Sequence, residues 1–369
     1  MKRWPCIPLG ELVSLEYGKA LKAEDRSESG RYPVYGSNGI VGSHDMAVVS
    51  EPTIIVGRKG AIGEAHLAEN GCWPIDTAFY TKLVKPDVVS LRYLLFWFRS
   101  VDLKSLAITA TIPGLNRNTL YGQRVPVPSL AEQDRIVKLL NEADELRKLR
   151  TEADLRTVAL VPSLFHKMFG DPASPGKFKW VVPLNTIGKI VTGNTPPRKH
   201  ADFYGDFIEW IKTDNIDPTR GVITRAAERL SEQGATRGRV VSAGSVLVTC
   251  IAGSRGRIGD SAVTDRPVAI NQQINAIIPE IQNDAVFVSE MIRALKSVIQ
   301  SKATGVMTGI INKSALGSVN GIRPPLSAQR EFATQVTQIR ALQLEQAASR
   351  ERLDNLFQSA LHRAFQHQR

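Results

Sequence analysis

Two glycine-rich turns carry cations at spacings that could do chemistry. One reads Gly57-Arg58-Lys59-Gly60 and runs on into Ala61-Ile62-Gly63. The other reads Gly253-Ser254-Arg255-Gly256-Arg257 and runs on into Ile258-Gly259. A nucleotide phosphate loop needs its lysine followed by Ser or Thr at the opening of a helix, so that backbone N–H groups, ammonium and hydroxyl converge on phosphate and metal. Neither turn has that step, and both lead into strand-like sequence. Hairpin turns that present Arg58, Lys59, Arg255 and Arg257 are the better reading, either to DNA phosphates and base edges or simply to water.

Other catalytic arrangements fare worse. Asp87 and the run Asp102-Leu103-Lys104 resemble the carboxylates and lysine that nucleases place around Mg²⁺, which makes a metal-dependent nuclease the alternative from a different class. Nuclease cores carry such a trio on a strand edge, whereas here it follows a strongly helical run and has no counterpart later in the chain. A solvated helix face is expected instead. The six histidines form no His-x-x-x-His pair and no cluster with Cys6, Cys72 or Cys250, so no metal site is expected. His166 and His362 flank apolar positions near helix ends, which fits packing or capping. Gly-x-Ser-x-Gly, Asn-Pro-Pro-Tyr, Asp-Pro-Pro-Tyr and Gly-x-Gly steps are all missing. The expectation is a chain with no catalytic, cofactor-binding or metal-ligating residues of its own.

Charge points to the partner. Among 369 residues, 47 Lys and Arg against 36 Asp and Glu give a net charge of +11, which favours a polyanion and nucleic acid first. The segment from Thr192 to Ile216 sets Arg198, Lys199 and Lys212 among turn residues and aromatics, of which Phe203, Tyr204, Phe207 and Trp210 are expected in the core. With Arg117 and Lys313, which follow Asn116 and Asn312 in matching loops, the expected DNA-binding set is Arg58, Lys59, Arg117, Arg198, Lys199, Lys212, Arg255, Arg257 and Lys313. No apolar run is long enough for a membrane span, and the opening MKRWPCIPLGELV lacks the long apolar core of a secretory signal. Three widely spaced cysteines read as reduced thiols, so a cytoplasmic protein is expected.

The elements that must position these cations form a repeat. From Leu130 to Phe169 apolar residues recur in steps of three, four and seven, with Pro162 the only proline and no glycine. A helix of about 40 residues at roughly 1.5 Å each would span on the order of 60 Å, and its narrow apolar seam requires a partner helix. Leu326 to Phe365 repeats the pattern at an offset of 196 residues: Ile136 matches Phe332, Leu140 matches Val336, Ala143 matches Ile339 and Leu146 matches Leu342. Leu160 and Leu356, which sit at the same offset, complete the expected seam. Before each helix lies a block with an opening short helix and glycine turn, a strand-turn-strand, an apolar helix and a proline step. The expected organisation is a block at 1–128, a helix at 129–170, a second block at 171–325 and a closing helix at 326–369. Chain order makes the two helices antiparallel, with a pseudo-two-fold axis and a module at each end. Two modules on a rigid spacer would read two half-sites, and because the blocks differ in sequence the site would be bipartite and asymmetric.

Together these pieces resemble the DNA-specificity subunit of type I restriction-modification systems. The resemblance rests on Pro128-Ser-Leu-Ala-Glu-Gln-Asp-Arg-Ile136 and Pro325-Leu-Ser-Ala-Gln-Arg-Glu-Phe332 at the helix starts. It rests also on Ser163-Leu-Phe-His-Lys-Met-Phe-Gly-Asp-Pro172, Leu356-Phe-Gln-Ser-Ala-Leu361, Thr192-Gly-Asn-Thr-Pro196 and Asp265-Arg-Pro-Val-Ala-Ile-Asn-Gln-Gln273. It implies two α/β (α+β) target-recognition domains separated by a long antiparallel two-helix coiled coil. It also implies two methyltransferase subunits using S-adenosylmethionine and motor-nuclease subunits using ATP and Mg²⁺, with double-stranded DNA as ligand and no cofactor in this chain. A related system, in which modification and cleavage share the partner chain, fits the same resemblance. The first block departs from the pattern after Gly18, where GRYPVYGSNGIVG replaces a Thr-Pro step.

Overall fold

Thr53–Gly57, buried along its whole length, is an inner strand of a four-stranded antiparallel sheet ordered Val13–Tyr17, Ala78–Leu83, Thr53–Gly57, Ala65–Ala68. The same order recurs in the second half of the chain as Gly188–Thr192, Ile274–Pro279, Val246–Thr249, Ser261–Val263, extended there by Val222–Ile223 and Ile216–Asp217. The computed structural model describes residues 4–107, 114–174, 180–305 and 309–365. These belong to two compact units, Met1–Thr151 with Ala348–Arg369, and Glu152–Ala347. Mixed helix and sheet content in each unit agrees with the α/β class expected from the sequence.

Each sheet carries a helix on one face. In the first unit Leu91–Ser100 starts at Ser90, whose hydroxyl accepts from Tyr93 N at 3.3 Å. In the second, Ala285–Ala294 starts at Asp284, whose carboxylate accepts from Val286 N and Phe287 N at 2.9 and 3.1 Å. These caps satisfy helix-end donors that have no partner within the helix. The opening of each block differs from expectation. Only Leu9–Leu12 is helical in the first and Leu184–Thr186 is a single 3-10 turn in the second, because both chains pass directly into the edge strand before the glycine.

The long helices enter both cores. Ile136, Val137 and Leu140 lie with Phe357, Leu361 and Phe365 in the core of the first unit, and Arg147 Nε donates to Asp354 at 2.6 Å. In the second unit Phe165 and Phe169 meet Phe332 with ring centroids 5.5 Å apart in both pairs, and Thr157 Oγ1 donates to Gln346 at 2.8 Å. Within the second unit the partner number rises as the first falls, so the segments run antiparallel there.

Leu326–Phe365 is one helix, but the expected continuous helix over 130–169 is two, Leu130–Val158 and Leu160–Phe169, broken at Ala159. Pro162 explains the break: it has no N–H to donate to the carbonyl of Val158, and its ring would crowd that oxygen in an unbroken helix. Of the expected seam, Ile136, Leu140, Phe332 and Val336 are buried, and Ala143 and Ile339 are half-buried. Leu146, Leu160, Leu342 and Leu356 are exposed instead. Val161, just after the break, and Phe357, in the unbroken closing helix, are buried where Leu160 and Leu356 were expected, a shift of one residue in each.

Candidate nucleic-acid interface

Three loops meet at one end of the first sheet. Arg58 N and Lys59 N donate to the carbonyl of Thr77, and Leu115 N donates to the carbonyl of Arg58, which ties the glycine turn to the loop before Asn116. Gly18 closes the third side: a Cβ there would fall inside contact distance of the Ile75 carbonyl oxygen, so only glycine lets the two chains approach this closely. The second unit repeats the frame. Cys250 N and Ile251 N donate to the carbonyl of Gln273, Ile311 N donates to the carbonyl of Cys250, and Gly193 lies against the Asn271 carbonyl as Gly18 lies against Ile75. Asn116 and Asn312 do the same job, each capping the short helix that follows by accepting a main-chain N–H at 2.8 Å.

On this shared frame the side chains differ. In the first unit the guanidinium of Arg58 lies 5.0 Å from the ring centroid of Tyr17 and that of Arg117 lies 5.4 Å from it. Each guanidinium also donates to a main-chain carbonyl, Arg58 to Asp76 at 2.8 Å and Arg117 to Leu15 at 3.3 Å. Lys59 is half-buried beside them. Tyr17 was not among the expected site residues, although its position directly before Gly18 marked it as a loop-edge aromatic. In the second unit the corresponding positions hold Thr192, Cys250 and Lys313. Thr192 Oγ1 donates to Asn275 at 2.7 Å, Lys313 is exposed, and burial pushes the Cys250 thiol up to about 12.

Of the remaining expected contacts of the second unit, Arg255 and Arg257 belong to the turn that begins at Cys250, while Arg198 and Lys212 belong to a separate cluster. Arg198 and Lys212 both bind Glu228, and their cations lie 5.2 and 5.0 Å from the Trp210 ring centroid. The Arg198 hydrogen bond, then that of Lys212, holds the Glu228 carboxyl below the usual carboxylate range, although burial opposes the shift. Trp210 is buried as expected, Phe203 and Tyr204 are half-buried, and Phe207 is exposed. Arg255 is turned back onto the carbonyls of Gln300 and Ala303, at 2.9 and 3.2 Å, and Arg257 onto the carbonyl of Thr213 at 2.7 Å. These two guanidiniums tie their turn to the fold, as carbonyls of Asp76 and Leu15 hold Arg58 and Arg117 in the first unit. Lys199 is exposed.

The nuclease-like trio is not assembled. Asp102 and Lys104 border one cleft, while Asp87 borders another hollow beside Trp4 and Ile7. Asp102 Oδ1 accepts from Ser105 N at 3.3 Å, the bond of a turn cap. Among the described residues no group of three His, Cys, Asp or Glu is placed to hold a metal ion. Among the described residues no helix is long and apolar enough to cross a membrane.

Two copies of one loop frame with different side chains define a class of internally duplicated α/β proteins. The family model for the type I restriction modification DNA specificity domain matches residues 1–155 and 175–354, and the chain belongs to that family. It is 28% identical over 181 residues to the type I restriction enzyme HindI specificity subunit of Haemophilus influenzae, covering 47% of this chain and 38% of that protein. It is 24% identical over 209 residues to the MjaIX specificity subunit of Methanocaldococcus jannaschii, covering 51% and 47%. Each aligned stretch thus spans less than half of the curated relative.

Among solved structures, the S subunit of a type I restriction-modification system from M. genitalium superposes with a TM-score of 0.61 at 16% identity, over 98% of this chain and 96% of that one. A second, from a study of complex assembly and conformational transition of the type I R-M system, gives 0.65 at 20%, over 99% and 98%. At these identities the likeness is one of fold.

Proposed function

We propose that the chain is the sequence-specific DNA-recognition subunit of a type I restriction-modification complex. It reads a bipartite, asymmetric site with one domain per half and does no chemistry itself. The observation that carries this reading is the duplicated loop frame, closed by Gly18 in one unit and Gly193 in the other and bearing different side chains in each. A duplication that keeps the scaffold and changes the loop chemistry is what two unlike half-sites require. The family membership supports the same reading.

The long helices carry exposed leucines at 139, 146, 149, 155, 342, 344 and 356, apolar side chains open to a partner. In this proposal they bind the methyltransferase subunits, with the motor-nuclease subunits joining that assembly in the cytoplasm. S-adenosylmethionine, ATP and Mg²⁺ chemistry then belongs to the partners, and the helices serve as the spacer between the two readers.

The test is a domain exchange. Replacing residues 1–128 by the corresponding block of another family member, and mapping methylated adenine genome-wide, should change one half of the methylated sequence and leave the other. A change in both halves, or no dependence of methylation on this chain, would overturn the proposal. Salt-sensitive, sequence-selective DNA binding by the chain with its methyltransferase partner should accompany it.

A further inference from the structure

We propose that Arg58 and Arg117 are the guanine-reading residues of the first domain, with Tyr17 as the positioning residue that holds both. This rests on the DNA-recognition reading and assigns a base chemistry to one half-site. Tyr17 is 51% exposed, yet its ring packs 5.0 Å from its cross-strand neighbour Phe79. The Arg58 guanidinium lies near both rings, at 5.0 Å from Tyr17 and 5.8 Å from Phe79, and the Arg117 guanidinium near Tyr17 and Tyr121, at 5.4 and 6.0 Å. Stacking and one main-chain hydrogen bond each fix these planar groups before any ligand arrives.

What sets them apart is the one ring they share, Tyr17, since Arg99 and Arg255 likewise have no ion pair among the described residues. Among the described residues neither Arg58 nor Arg117 forms an ion pair with a carboxylate, whereas Arg92, Arg147, Arg198, Arg257, Arg266 and Arg293 each do. A guanidinium held by rings and carbonyls keeps its charge and most of its five N–H donors for a partner. The partner that matches a fixed planar fork in a DNA groove is the O6/N7 edge of guanine, the commonest specific arginine contact. Ordering these side chains costs little on binding, because they are already ordered. Thr192, Cys250 and Lys313 occupy the equivalent positions in the second unit, so the guanine pair is confined to the first half-site.

The experiment selects bound duplexes from a random-sequence library with the full chain and its methyltransferase partner. The unaltered chain should select a two-part site with at least one fixed G·C pair in the part lost on exchanging residues 1–128. Arg58→Lys and Arg117→Lys keep the charge but lose the fork, and each should relax preference at a G·C position of that part by about 5- to 150-fold, with the other part unchanged. Tyr17→Phe should select as the unaltered chain does, and Tyr17→Ala should relax the same positions. Placing 7-deazaguanine there, which removes the N7 acceptor, should weaken binding by the unaltered chain and not by the lysine variants. Lysine variants that select the original sequence, or indifference of the unaltered chain to 7-deazaguanine, would make these phosphate contacts and overturn the assignment. If the unaltered chain selects no sequence at all, the recognition reading itself fails.

Discussion

Gln133 and Gln329, 196 residues apart, make the same three hydrogen bonds in the two units. Gln133 Oε1 accepts from Ser90 N at 2.9 Å, and its amide donates to the carbonyls of Val88 and Pro128 at 2.8 and 3.0 Å. Gln329 Oε1 accepts from Asp284 N at 2.9 Å, and its amide donates to the carbonyls of Gln282 and Pro324 at 3.4 and 2.8 Å. Both side chains are fully buried, so each pins the start of a long helix to the loop that opens the sheet-covering helix. Gln133→Leu strands a buried N–H and two carbonyls in the first unit and should cost at least roughly 2 kcal/mol. Gln329→Leu should do the same in the second. Denaturant unfolding is the check, and a change under about 0.5 kcal/mol would refute this role for the glutamine.

The shifted helix register gives paired substitutions with opposite expectations. Phe165 packs on Phe169, Phe287 and Phe332, and Phe165→Ala should lower stability by about 3–5 kcal/mol. Leu160→Ala, on the exposed side, should stay within about 0.5 kcal/mol when the chain is measured alone. Equal effects would mean that the buried face has been misassigned.

Gly193→Ala should damage the loop frame of the second unit and leave that of the first. The added methyl meets the carbonyls of Ile270 and Asn271, which are main chain and cannot swing aside. Hydrogen exchange at Gly193 N and Asn194 N, which donate to Ile274 O and Ile270 O, should rise. Unchanged protection would show that the close approach is dispensable.

Glu209 links the second unit to acid pH. The Arg266 guanidinium, aided by the Ala226 N–H and Arg225, outweighs burial and holds its carboxyl down to about 2, against an ordinary 4.5. A folded value below the unfolded one stabilises the fold fully above about pH 4.5, and that contribution drains away between 4.5 and 2. Glu209→Gln should therefore lower stability at pH 7 and flatten the fall of stability across that acid range. Urea melts at a series of pH values would show it, and an unchanged acid slope would assign the sensitivity to other groups.

The parts of the fold legible in sequence were those set by local periodicity. The long helices, the strands around Ile55 and Leu247, and the matching places of Asn116 and Asn312 follow from residue type and spacing, whereas the short helices those asparagines cap were read as loops. The seam was legible up to Leu140 and then slipped, because leucine spacing alone does not show that Val161, Phe165 and Phe357 are the side chains with somewhere to pack. The cations were the least legible. Arg255 and Arg257 read as exposed turn cations, and their bonds to the carbonyls of Gln300, Ala303 and Thr213 come from tertiary contacts that spacing does not show. Tyr17 went unnoticed because its value lies in two arginines that the fold brings from positions 58 and 117.

The closing helix has a consequence for how the protein is made. Tyr93 and Phe96 in the first unit pack at a tilt and edge-on against Phe365 and Phe357, which emerge only after the whole of the second unit. At about 5–20 residues per second, the ribosome needs on the order of tens of seconds after finishing Leu91–Ser100 before those lids exist. During that interval the aromatic face around Trp97 has no native cover, so the first unit is sealed only after the residues of the second have been synthesised. A message cut short before Phe357 would release a nascent chain with that face open, which makes synthesis of Leu326–Phe365 a checkpoint on whether the first unit matures.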